Sequence, residues 1–192
     1  MREVEMETRK ESEWIFKVVW AWQDEREEKW LEEQAAQGWH LEKVAPFFYK
    51  FLQGTPSRVI YRMDYKRTTD QDYAEYRDIF TLCGWELVAE MANWHYYRIS
   101  PENSETPEIY SNDHSKAQKY RRLLIGLVPV MVIFTTIFNP ALSRGLLNAR
   151  NQGDAWVYQA AIAFRVVIFL LLVYVIIRIL VKIRRLESGK KE

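Results

Sequence analysis

Residues 37–51 read QGWHLEKVAPFFYKF and residues 83–98 read CGWELVAEMANWHYYR, and laying one over the other decides the fold. Gly38-Trp39-His40-Leu41 falls on Gly84-Trp85-Glu86-Leu87, and the match extends both ways. Upstream, residues 24–37 (DEREEKWLEEQAAQ) and 70–83 (DQDYAEYRDIFTLC) are helix formers. They carry faces of Trp30, Leu31, Gln34 and Ala35 in the first and of Tyr73, Tyr76, Phe80 and Cys83 in the second. Each helix opens at an Asp suited to capping free amides and stops at a Gly suited to the left-handed position past a helix end. Downstream, Trp and Leu alternate as strand residues do, and the aromatic runs FFYKF (47–51) and WHYYR (94–98) read as hairpin partners. A further strand pattern precedes each helix, WIFKVVW (14–20) and VIYRMDY (59–65). The unit is β-α-β-β, and it occurs twice as an internal repeat over residues 13–53 and 58–100.

Two such units in tandem predict an α+β domain over residues 1–100, a ferredoxin-like antiparallel sheet with two helices on one face. Two copies are too few for a solenoid. Period-two alternation assigns Trp39, Leu41, Phe47, Tyr49, Phe51, Val59, Tyr61, Met63, Tyr65, Trp85, Leu87, Met91, Trp94 and Tyr96 to the helix-covered core. The opposite side then carries His40, Glu42, Phe48, Lys50, Arg62, Asp64, Glu86, Glu90, His95 and Tyr97. Such a face is either a solvated outer surface with charges paired across strands, or a binding face. Its occupant would be a protein partner, a second copy in a homodimer, or a small ligand with charged and flat parts.

The carboxyl-terminal part reads differently. Residues 123–138 (LLIGLVPVMVIFTTIF) carry no charge, and residues 160–181 (AAIAFRVVIFLLLVYVIIRILV) are apolar except for Arg165 and Arg178. About 20 apolar residues cross a hydrocarbon core, so these predict a two-helix transmembrane hairpin within residues 119–185, with spans near 121–142 and 158–181. Arg165 is an intramembrane polar residue that snorkels to a headgroup or meets a carboxylate of a membrane partner. Lys116, Lys119, Arg121 and Arg122 precede the first span, and Lys182, Arg184, Arg185, Lys190 and Lys191 follow the second. Positive charge stays inside, so the expectation is a multi-pass protein of the cell membrane with both termini cytoplasmic, including the tail at 186–192. Residues 101–118, polar and bracketed by prolines at their start, read as a tether.

Charge and motif content narrow the function. Residues 1–100 hold 14 Lys and Arg against 19 Asp and Glu, while the remainder is net basic beside its apolar runs. The acidic half argues against nucleic-acid binding, and the basic flanks point to anionic lipid, the bilayer being the first partner. Cys83 is the single cysteine, which fits a reducing compartment and excludes a cysteine metal cluster; at a helix end it reads as an apolar packing residue. The N-terminus MREVEMETRKESE has no apolar signal core. No phosphate loop, His-Glu-x-x-His, Gly-x-Ser-x-Gly or CxxC pair occurs. The expectation is a non-catalytic protein without cofactor or metal. His40, Glu42 and His95 remain as acid–base candidates against a hydrogen-bonded structural role.

KWLEEQAAQGWHL, FFYKF, VIYRMDY, EYRDIFTLCGWELV and WHYYRI, in this order and spacing, resemble the DUF2812 family of bacterial, mainly Firmicute, proteins. The resemblance covers Trp14 to Ile99 and departs at Gln34, where methionine is common. The family is uncharacterised, so it implies no reaction and no catalytic residue. It does imply company, namely carboxyl-terminal spans and neighbouring PadR-type regulators. The expected function is a membrane-anchored cytoplasmic binding or sensing module linked to transcriptional regulation or envelope stress, with a PadR-type regulator or a membrane protein as partner. The alternative is an accessory or immunity-type subunit of a membrane complex, acting through its spans.

Overall fold

The computed structural model describes residues 11–101, 106–110, 112–137 and 155–189. The chain divides into two compact units, Met1–Ser111 and Asn112–Glu192. In the first, β1 (Ser12–Phe16), α1 (Asp24–Ala36), β2 (Trp39–Ala45) and β3 (Phe48–Gln53) are followed by β4 (Ile60–Tyr65), α2 (Tyr73–Leu82), β5 (Glu86–Met91) and β6 (Trp94–Ile99). Both halves therefore run strand, helix, strand, strand. Gly38 (φ 91°) and Gly84 (φ 83°) stand just past the helix ends in the left-handed region. A Cβ on Gly38 would also lie 2.7 Å from the Gly54 carbonyl oxygen, so the strand can start there only without a side chain.

The single ferredoxin-like sheet expected from the sequence is replaced by two three-stranded antiparallel sheets, β1-β3-β2 and β4-β6-β5. The edge strands β2 and β5 lie side by side without ladder pairing. Both are bulged, between Leu41 and Lys43 and between Leu87 and Ala89. A bulge bends the strand and breaks the regular row of amides another edge needs, which accounts for two sheets instead of one.

The helices do not share a face either. α1 packs against both sheets: Trp30 meets Tyr49 and Phe51 of β3 edge-on, while Glu28 and Glu32 accept hydrogen bonds from the backbone N–H groups of Met63 (2.9 Å) and Tyr61 (3.2 Å) on β4. Those two carboxylates close the outer edge of the second sheet. α2 lies on the far side of that sheet, with Phe80 stacked on Tyr97 at 4.3 Å and the Tyr76 hydroxyl donating to Asp64 (2.8 Å). The buried face of α1 keeps Leu31 and Ala35 from the expected apolar face and adds Asp24, Glu27 and Glu28, while Trp30 and Gln34 are half-buried at its border. Leu31, Ala35 and Phe51 are fully buried at its centre. Burying the Phe51 ring contributes roughly 2–3 kcal/mol.

Smaller departures follow the same packing. No side-chain cap bond forms at either helix start: Asp24 is already helical, and α2 starts beyond the expected cap Asp70, which pairs with Arg67 (3.0 Å), while the carboxylate of Asp72 just before the helix is taken by Lys66 (2.7 Å). Phe47, expected in the core, occupies the β2–β3 turn at φ 66° and is half exposed. Cys83 is exposed, not packed. The expected tether is partly docked, since Ile109 packs against the Ile60–Trp85–Tyr97 cluster, Glu108 pairs with Arg62 (2.7 Å) and Tyr110 donates to Asp64.

In the second unit, α3 (Asp113–Ile137) and α4 (Ala155–Glu187) pack together, and an Arg121–Glu187 ion pair joins the start of one to the end of the other. Pro129 lies inside α3. Among the described residues one stretch, Ile162–Glu187, is long and apolar enough to cross a membrane. Its Phe164, Val167, Leu170 and Ile177 side chains are exposed, and Arg165 is half-buried. The end of the first expected span, residues 138–142, lies outside the described residues, as do residues 1–10.

Candidate functional site

The ten residues expected on one open sheet face separate into distinct environments. His40, Glu42 and Glu86 border a polar groove of about 590 Å³ beside Arg98, where His40 Nε2 is 2.9 Å from the Thr55 carbonyl oxygen and Glu86 holds Arg98 in a two-bond pair (2.8 and 3.0 Å). Phe48 and Lys50 lie on the outer side of the first sheet, with Phe48 against Phe16 (5.4 Å) and Lys50 paired with Glu42 (2.7 Å). Trp14, Phe16 and Phe48 are exposed there.

Arg62, Asp64, His95 and Tyr97 are buried instead of open, because α2 and the segment after β6 cover them. His95 Nε2 lies 2.9 Å from the Tyr73 hydroxyl and 3.1 Å from exposed Glu90, to which Tyr73 also donates. Burial pushes the His95 imidazole below its ordinary value, with Glu90 and Asp64 opposing. His40 on β2 and His95 on β6 belong to different sheets and have different hydrogen-bond partners. Among the described residues no group of three His, Cys, Asp or Glu is placed to hold a metal ion.

A different site emerges where the two halves of the first unit meet. A cavity of about 280 Å³ is bounded by the loop after β1 (Lys17, Val19, Trp20, Ala21), the first turn of α1 (Asp24, Glu27) and the two hairpin turns (Pro46 and Phe47; Met91 and Ala92). Tyr49, Met63, Trp94 and Tyr96 complete it. The local sequence explains each wall. Trp20 N–H bonds the Gln23 side chain (3.3 Å) and Gln23 N–H bonds the Trp20 carbonyl (2.7 Å), which folds the loop into a turn at the head of α1. Lys17 N–H donates to the Phe47 carbonyl (2.9 Å) and ties that loop to the first hairpin tip. Phe47 and Ala92 (φ 55°) are the non-glycine residues with positive φ among the described residues, and both line this cavity. A side chain held there stores strain, which clusters at ligand sites.

The floor is acidic and buried. Asp24 is 1% exposed and Glu27 5%. Glu27 Oε1 accepts from both the Tyr49 hydroxyl (2.7 Å) and the Tyr96 hydroxyl (2.9 Å), and Oε2 takes no hydrogen bond among the described residues. Burial pushes the Glu27 carboxyl above its ordinary range, while the two hydroxyls hold it down. Burial and the Glu27 charge raise both tyrosines, which keeps them protonated donors. Lys17 turns its ammonium over the Trp30 ring, 3.9 Å from the centroid, and burial lowers its pKa. The arrangement offers aromatic walls with a few placed polar groups, the build of a small-molecule site.

Sequence reasoning missed this site because it treated Asp24 as a cap and Glu27 as a helix former. The available signal was spacing: Asp24, Glu27, Glu28, Leu31 and Ala35 share one helix face, so acids stand where an amphipathic helix puts its core.

A family model for a protein of unknown function, DUF2812, matches residues 23–134, more than half of the chain. The chain belongs to the DUF2812 family. Searches of curated proteins and of solved structures return no match. The DUF2812 match opens at the residue before α1, so it includes Asp24, Glu27 and both hairpin tips of the cavity, whereas Lys17 and Trp20 precede it.

Proposed function

We propose that this chain is a membrane-anchored, non-catalytic binding and sensing module of the cytoplasmic face. The observation that carries the reading is the aromatic cavity over the buried carboxylates of α1, at the junction of the two halves. α1 hydrogen-bonds the second sheet and packs on the first, so a ligand at its first turn changes contacts with both. The matching β-α-β-β order, the glycines past both helices and the paired bulges support an internal duplication. The anchor is α4 with α3 as a transmembrane hairpin, both termini cytoplasmic; the exposed apolar side chains of α4 support this, since a soluble core helix buries them. The output is regulatory, through a PadR-type regulator or a membrane protein recruited to the exposed Trp14–Phe16–Phe48 surface of the first sheet.

The test is in-cell photo-crosslinking from a probe at Phe47, on the cavity rim, with Phe16 on the outer sheet face as comparison. Mass spectrometry is expected to find a small-molecule adduct at position 47 that is absent at position 16. Equal adducts at both positions, or none at position 47, would contradict the reading. An accessory-subunit role acting through the spans is favoured by one feature, the half-buried Arg165 in α4. Replacing the spans with an unrelated transmembrane hairpin separates the two roles, because loss of the cellular phenotype with insertion intact supports the accessory role.

A further inference from the structure

We infer that the cavity takes an organic cation, a positively charged nitrogen carried on a small apolar body. This rests on the binding role proposed above and names its ligand class. Three properties of the cavity converge on that chemistry. The volume of about 280 Å³ is lined in part by Trp20, Phe47, Tyr49, Trp94 and Tyr96, and the negative π-faces of such rings attract a cation and accept an apolar body equally well. The floor presents two carboxylates that are each more than nine-tenths buried. Both tyrosine hydroxyls donate to one oxygen of Glu27, so Oε2 takes no hydrogen bond among the described residues, and Glu27 lines the cavity. Burying the Glu27 carboxylate is costly, and a cation on the cavity side offsets that cost.

An anionic ligand would meet the same two carboxylates at short range. Lys17 also lines the cavity and attracts Glu27 at longer range, but its ammonium sits on the Trp30 ring and no salt bridge joins it to Glu27 among the described residues. A neutral apolar ligand would fill the walls but leave Oε2 unpaired, so it gains the packing without the charge.

The test uses the full chain in lipid nanodiscs and three probes of similar size: benzyltrimethylammonium, its neutral carbon isostere neopentylbenzene, and benzoate. Calorimetric titration is expected to give binding of the ammonium at least about tenfold tighter than of the isostere, with no binding of benzoate. Glu27→Gln keeps the acceptor for both tyrosines and the shape of the floor, and is expected to weaken the ammonium about tenfold. Glu42→Gln, on the outer side of the first sheet, is expected to leave it unchanged. Equal binding of ammonium and isostere, preference for benzoate, or an unaffected Glu27→Gln variant would overturn the organic-cation assignment while leaving a ligand-binding cavity in place. Binding of none of the three probes would overturn the assignment, and the adduct test at Phe47 then decides the binding role by itself.

Discussion

The two halves of the first unit share one order of elements yet use their helices in different ways. α1 buries Asp24, Glu27, Glu28, Leu31 and Ala35 against two sheets, whereas α2 buries no residue and leaves Ile79 half exposed and Leu82 almost fully exposed. α1 is held by carboxylates that close a strand edge; α2 is held by the rings of Tyr73, Tyr76 and Phe80 lying on His95, Asp64 and Tyr97. The first sheet keeps an open aromatic side, and the second is covered on both. Equal patterns of caps and strands thus fix the order of elements, while the chemistry on each helix face decides what it joins.

Core truncation should break the comparison most strongly. Leu31→Ala in α1 is expected to cost about 3 kcal/mol in urea unfolding of the micelle-solubilised chain, because a fully buried leucine leaves a cavity, while Leu82→Ala in α2 stays within about 0.5 kcal/mol. Equal losses would mean that α2 is packed as α1 is. Next in size is the charge network at the edge of β4. Arg62 pairs with Glu32 (3.0 Å) and Glu108 (2.7 Å) and is nearly buried, so Arg62→Ala should cost about 3 kcal/mol by removing the cation that these carboxylates share. Lys50→Ala, which breaks the exposed Glu42 pair of the first sheet, should cost less than about 1 kcal/mol in the same assay.

Tyr49→Phe and Tyr96→Phe each remove a donor from buried Glu27 and should cost about 1.5–3 kcal/mol. Since both bonds end on one oxygen, the double variant should differ measurably from the sum of the singles, and strict additivity would show two independent bonds.

The smallest effect is also the most discriminating between halves, since their titrations have opposite sign. Burial raises Glu27, so its contribution to stability is present below the ordinary carboxylate value and lost as pH rises through its raised pKa. Burial lowers His95, so its contribution is present above the ordinary value of 6.5 and lost as pH falls through its lowered pKa. Against the parent, Glu27→Gln should become relatively more stable with rising pH and His95→Gln relatively more stable with falling pH. Profiles parallel to the parent would remove both assignments.

Much of this architecture is legible in the sequence. Gly38 and Gly84 mark helix ends because only their freedom at positive φ lets a strand begin at once, and alternation places Leu41, Phe51, Tyr61 and Tyr96 in the core. Alternation says which residues share a face, but not which layer covers it. Hence Asp64 and His95, polar residues that alternation assigns to the open face, lie buried under α2. Phe47 failed for a local reason, since the turn takes it out of the strand. The cavity was hidden because its walls come from four separate segments that meet only after both sheets have formed.

The central claim is that a ligand enters at the first turn of α1 and not at the face beneath α2. Hydrogen–deuterium exchange of the full chain in nanodiscs, with and without benzyltrimethylammonium, tests it most directly. The account predicts slower exchange in residues 17–27 and at the two hairpin tips, 46–47 and 91–93, with no change across residues 73–82. Protection confined to residues 73–82, or no protection at the cavity at saturating probe, would contradict it.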